Sequence, residues 1–152
     1  MVLSKVNKWR EQFDQINKAL KCMGYVVLLL PDEEDRVCFV DRCIYINSRK
    51  HPETKFYTLL HELGHVLVAM DWVNFNSDHP MYVHSPGEPY DGRKARSKSY
   101  RVSLISEEIE AWRLGRRFAK SLGLHINDSK YDKSMTEAIM SYINWASDGP
   151  WE

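Results

Sequence analysis

The pentapeptide His61-Glu62-Leu63-Gly64-His65 constrains this chain more than any other stretch. An H-E-x-x-H pattern needs a helix, because only there do residues i and i+4 stand one above the other on a stiff support. Two neutral imidazole nitrogens held that way suit one Zn²⁺, with a third protein ligand from elsewhere and a fourth position left to water. The metal lowers the pKa of that water towards about 7, and Glu62 stands where its general base belongs.

The surrounding sequence agrees with a helix over 53–70. At about 100° per residue, Leu59, Leu60, Leu63, Val66, Leu67 and Met70 fall on one apolar face, while Thr58, His61, His65 and Val68 gather on the other. The histidines should therefore look into a cleft, where an ordinary amphipathic helix would show them to bulk solvent. Gly64 lies near the cleft side, where the missing side chain would let another segment come close to the metal, at a helix-propensity cost of about 1 kcal/mol.

The 152 residues fit one domain, 1–152, long enough to bury a core without disulfide or metal support. With 21 basic and 21 acidic side chains, no global field favours nucleic acid or an anionic membrane. Cys22, Cys38 and Cys43 form no C-x-x-C pair and read as buried free thiols in a reducing compartment. The opening Met1-Val2-Leu3-Ser4-Lys5 lacks the order of a signal peptide, and no apolar run approaches the roughly 20 residues that span a bilayer. A cytoplasmic protein with no membrane partner is expected.

Along the chain, Ser4 caps a first helix whose apolar positions Val6, Trp9, Phe13, Ile16 and Leu20 recur at helical spacing to Met23-Gly24. Tyr25 to Leu30 reads as a buried strand, and 36–40 and 43–47 as a hairpin, giving about three strands before the motif helix. The run Ile44-Tyr45-Ile46-Asn47 is expected at a sheet edge, either pairing with an extended peptide or protected by Arg49 and Lys50. Asp71 to Tyr100 is broken by Pro80, Pro86, Gly87, Pro89 and Gly92 and reads as a long loop near the cleft. Its tail, Arg93 to Arg101, carries five basic residues and no acid, the pattern of a solvated lid or a local patch for an acidic partner. A helix over 104–122 follows, then a last one over 136–146 with Ser134 and Glu137 spaced as a capping box and Ile139, Tyr142, Ile143 and Ala146 as a packing stripe.

Helix geometry ranks the candidates for a third ligand. On the helix of 104–122, Glu108 falls well inside the apolar face, Glu107 at its edge, and Glu110 towards the basic side with Arg113, Arg116, Arg117 and Lys120. A carboxylate in an apolar face costs several kcal/mol unless it is paired or bound to metal, which favours Glu108. Glu107 remains an alternative. Asp71, His79 and His84 are weaker ones, Asp71 because Val68 stands where a glycine turn would be needed.

The stretches Ile44-Tyr-Ile-Asn47, Thr58-Leu-Leu-His-Glu-Leu-Gly-His65, Glu108-Ile-Glu-Ala111 and Phe118-Ala119 resemble the ImmA/IrrE-type zinc metallopeptidases, a gluzincin-like group common in phages and mobile elements. The resemblance spans 44–122. It implies an α+β zincin-like domain made of an N-terminal helix, a small sheet, the motif helix, a ligand-bearing helix and a C-terminal helix. It implies Zn²⁺ held by His61, His65 and Glu108, with Glu62 as catalytic base. Trp112 replaces the Asn of the family pattern E-x-x-A-N-x-F-A, and Phe-Ala comes four residues late, which points to a divergent branch. Peptide-bond hydrolysis in a specific intracellular protein is the function this implies. A non-catalytic scaffold that binds a regulatory partner is the alternative, against which the intact Glu62 argues. Tyr82, His84, Tyr90, Tyr100 and Arg101 are candidate oxyanion donors.

Overall fold

The computed structural model describes residues 4–78 and 96–148. Among these, five helices and a three-stranded sheet form an α+β fold: α1 (Lys5–Cys22), β1 (Val26–Leu30), β2 (Arg36–Cys38), β3 (Cys43–Asn47), α2 (Pro52–Met70), α3 (Trp72–Asp78), α4 (Lys98–Ser121) and α5 (Asp128–Ser147). No helix among the described residues is long and apolar enough to cross a membrane.

Helix α1 starts where Ser4 accepts a hydrogen bond from the Asn7 amide at 3.3 Å. It buries Trp9, Phe13, Ile16 and Leu20, the stripe expected from their spacing, and leaves Val6 exposed. Gly24, at φ 91°, then turns the chain into β1 in a backbone conformation that costs glycine little.

The sheet order is β1-β3-β2, with β3 parallel to β1 and antiparallel to β2. Two expectations about it fail. The strand from Tyr25 to Leu30 is not buried: Tyr25 packs inside, but Val26, Leu28, Leu29 and Leu30 are exposed because β1 lies at the sheet edge. A continuous apolar run does not reveal how many neighbours a strand has. Conversely, β3 is central, because the hairpin folds β2 back along one side while β1 pairs on the other. Its inward residues Ile44 and Ile46 are fully buried, alternating with half-exposed Cys43, Tyr45 and Asn47.

The motif helix runs unbroken from Pro52 to Met70, with Pro52 in its first turn, where a missing amide hydrogen costs nothing. It is buried almost all round, including Thr58 and Val68 on the side opposite Leu59, Leu60 and Leu63; Met70 is exposed, contrary to the apolar-face assignment. The expected loop over 71–100 is shorter at both ends, because α3 follows α2 directly and Ser97 caps α4 by accepting from the Tyr100 amide. Its central part, 79–95, lies outside the described residues, as do His79, Tyr82, His84 and Tyr90.

Helix α5 also begins earlier than its spacing indicated, capped by Asn127, whose side chain accepts from the Lys130 amide at 3.2 Å. Ser134 and Glu137 therefore lie inside the helix and form no capping box. Trp9, Phe56, Tyr57 and Tyr131 join α1, α2 and α5 in one core, and Tyr131 donates its hydroxyl hydrogen to the Trp112 carbonyl of α4 at 2.5 Å.

The contact between α2 and α4 is made backbone to backbone. A methyl group on Gly64 would lie 1.8 Å from the Ala111 carbonyl oxygen, and one on Gly115 would lie 2.1 Å from that of Leu60. Neither oxygen belongs to a side chain that could swing aside. Gly64→Ala and Gly115→Ala should each destabilise the fold by about 1–3 kcal/mol or more, the range of overpacked cores, despite better helix propensity. Urea unfolding midpoints check this; an unchanged midpoint in either variant would show that the helices do not meet so closely.

Candidate metal centre

The glycine contact sets the face of α4 that meets the two histidines. His61 and His65 come from successive turns of α2, and Glu107 and Glu108 from one turn of α4 above Ala111. His61 Nε2 lies 2.8 Å from Glu108 Oε2, His65 Nε2 lies 3.2 Å from Glu108 Oε1, and the two Nε2 atoms are 3.0 Å apart. Among the described residues, His61, His65 and Glu108 are the one group of three such side chains whose ligand atoms gather within 4.8 Å.

This donor set fits a small divalent ion. Ligand atoms about 2.0–2.1 Å from a tetrahedral metal sit roughly 3.3 Å from one another, close to the separations found here. Two imidazole nitrogens and one carboxylate oxygen are ligands that zinc accepts, and three protein ligands leave one position open.

The two glutamates stand at different nitrogens of the histidines. His65 Nδ1 faces Glu107 Oε1 at 3.6 Å, while Glu108 faces the convergent Nε2 atoms. Both carboxylates are buried, but Glu107 stands behind the ring, where a carboxylate fixes the orientation and tautomer of a ligating histidine. Glu62 Oε1 lies 3.6 Å from His61 Nδ1, and Glu62 is only 4% exposed.

Two further side chains belong to the site and were not singled out for it from the sequence. The Trp112 ring stacks on that of His61, with centroids 4.4 Å apart and planes inclined by 10°. Its spacing of four residues from Glu108 puts it on the same helix face, which was a usable signal. Tyr142, read as packing, lies on α5, where burial and then the charge of the nearby Glu108 carboxylate raise its pKa.

The other candidates lie elsewhere. Asp71 is an exposed residue at the end of α2, accepting from Asn74 at 2.8 Å. Arg101 donates to the Trp145 and Asp148 carbonyls at 2.5 and 2.7 Å, so this guanidinium braces the end of α5. Tyr100 is buried at the start of α4.

A cleft of about 380 Å³ opens beside His61 and Glu62. The segment before β2 contributes Glu34 and Asp35, α2 contributes Thr54 and Thr58, and α5 contributes Ser134 and Glu137. Asp35 accepts from the Asn47 amide at 2.7 Å and pairs with Lys50, which fixes this wall.

Burial pushes the Glu108 carboxyl up, but the adjacent His65 and His61 imidazoles outweigh it and hold the group well below the usual carboxylate range. For His65, burial favours the neutral ring, but Glu108 and Glu107 reverse this and raise its pKa well above the ordinary value. Burial also raises Glu62, and the two histidines only partly oppose it. In the metal-free chain the Glu108 contribution to stability is present above the unfolded carboxylate pKa of about 4.3 and lost as pH falls. That of His65 is fully present below about pH 6.5 and lost as pH rises through its higher folded value. The difference in melting temperature between wild type and Glu108→Gln should therefore be largest between about pH 4.3 and 6.5 and shrink on either side. Thermal scans across pH in the presence of a chelator check this; a pH-independent difference would contradict the pairing.

No curated protein and no solved structure matches the chain. Residues 20–78, which include the whole motif helix and end before α4, match the model of peptidase family M78, described as the IrrE N-terminal-like domain. The match places the two histidines of α2 within a stretch similar to that domain, over 59 of the 152 residues.

Proposed function

We propose that this chain is a zinc-dependent peptidase that hydrolyses a peptide bond in a specific intracellular protein. The observation that carries the reading is the convergence of His61 Nε2, His65 Nε2 and the Glu108 carboxylate, with Glu62 buried next to them at the cleft. The family match supports the metallopeptidase part of it.

In this reading His61, His65 and Glu108 hold the ion. Zinc bound there supplies a Lewis acid for the scissile carbonyl and a water acidic enough to attack near neutral pH. Glu62 takes the proton of the attacking water and delivers it to the leaving amine. Its burial favours this work, because a carboxyl raised towards neutrality accepts and releases a proton more evenly than an ordinary glutamate. Glu107 keeps the His65 ring turned so that Nε2 faces inward, and Trp112 holds the plane of His61. The substrate lies along the cleft between Glu34 and Glu137, with its scissile bond at Glu62.

Purified protein should carry about one zinc per chain, and His61→Ala should lose it. Glu62→Gln should keep the metal and lose activity by about 10²–10⁴-fold, the usual contribution of a general base. Metal analysis combined with proteome-wide profiling of new N-termini measures both. Stoichiometric zinc in His61→Ala would defeat the site, and cleavage undiminished in Glu62→Gln would defeat the enzyme reading in favour of a non-catalytic scaffold.

A further inference from the structure

On the outer face of the sheet, away from the metal centre, two cysteines stand opposite one another. Cys38 ends β2 and Cys43 begins β3, and the antiparallel register pairs them directly, as it pairs Val37 with Ile44 and Arg36 with Tyr45. Side chains alternate between faces along a strand. Val37 packs on the core and Ile44 is fully buried within it, so Cys38 and Cys43 point to the opposite side. The next outward pair confirms the shared face, with the Arg36 guanidinium 4.2 Å over the Tyr45 ring.

The two sulfurs converge on one residue of the intervening turn. Cys38 Sγ donates to Asp41 Oδ2 at 3.4 Å and Cys43 Sγ to the Asp41 carbonyl at 3.5 Å. Both are free thiols and partly exposed, which corrects their expected burial. Directly opposed residues on one face have Cα atoms about 4.5–5.5 Å apart, within the span of about 4.4–6.8 Å that a disulfide bridges. Arg42, in the left-handed region at φ 52°, holds the tight reversal that keeps the strands in this register.

We propose that Cys38 and Cys43 form a reversible dithiol/disulfide site whose oxidant is a low-molecular-weight disulfide of the glutathione class. One thiolate attacks the glutathione disulfide, forming a mixed disulfide and releasing one glutathione thiolate, which takes up a proton. The opposing thiolate then attacks the protein sulfur of that mixed disulfide, and the second glutathione leaves. The protein loses two electrons and two protons in all, and one glutathione disulfide becomes two glutathione molecules. The new bond fastens the three-residue strand β2 to β3 at the end of the hairpin remote from Asp35 and the cleft. The site does not depend on the peptidase reading.

The full chain with Cys22→Ser isolates the pair, since Cys22 is the third cysteine and is exposed on α1. With excess glutathione disulfide, this variant should lose both free thiols and two hydrogens of mass, with peptide mapping linking Cys38 to Cys43 and dithiothreitol restoring it. Adding Cys38→Ser or Cys43→Ser should instead trap one glutathione on the remaining thiol. Two glutathiones on the Cys22→Ser chain would overturn the proposal. So would two persistent thiols at a concentration that glutathionylates Cys22 in the wild type.

Discussion

Everything at the metal centre depends on how closely two helices approach. Gly64 on α2 and Gly115 on α4 each meet a carbonyl oxygen of the other helix, at Ala111 and Leu60. A side chain at either position would push the axes apart, and the carboxylate of Glu108 would no longer reach both Nε2 atoms. The contact also fixes the rotation of α4, because Glu108, Ala111, Trp112 and Gly115 recur at steps that keep them on one face. Thus Glu108 reaches the inner nitrogens and Trp112 the flat side of His61, while the preceding residue, Glu107, falls behind His65.

Around that contact the structure is layered by what each element must neutralise. Three buried glutamates at one place would be costly alone, and the histidines between them are what makes the arrangement tenable. Helix α5 completes the enclosure. Tyr131 ties its first turns to the Trp112 carbonyl, and Arg101 secures its last carbonyls. The sheet stands on the other side of α2, and the segment leading into β2 supplies the opposite wall of the cleft.

The motif helix and the burial of Glu108 were legible because both rest on periodicity within one helix, where burial follows from spacing. So was the role of Gly64, since a glycine inside a helix costs stability unless another segment packs where its side chain would stand. What the sequence left hidden depended on partners distant along the chain. Nothing within Val26 to Leu30 says that, among the described residues, β1 has a neighbour on one side only, and nothing within Ile44 to Asn47 says that β3 has two. Tyr142 looked like packing because its stripe is apolar, and only the placement of α5 against α4 brings it under the influence of the Glu108 charge. Ser134 and Glu137 matched a local capping pattern, but Asn127 offered an earlier start and the helix took it.

The hydrogen bonds among His61, His65 and Glu108 bear on how the centre is assembled. Both Nε2 atoms lie 3.0 Å apart with a Glu108 oxygen near each, so the three side chains already face one point. The apolar core and the glycine contact fix the helices independently of any ligand. A cation drawn to this cluster would meet ligand atoms already gathered by the fold, and the chain would have no need to order itself around the newcomer.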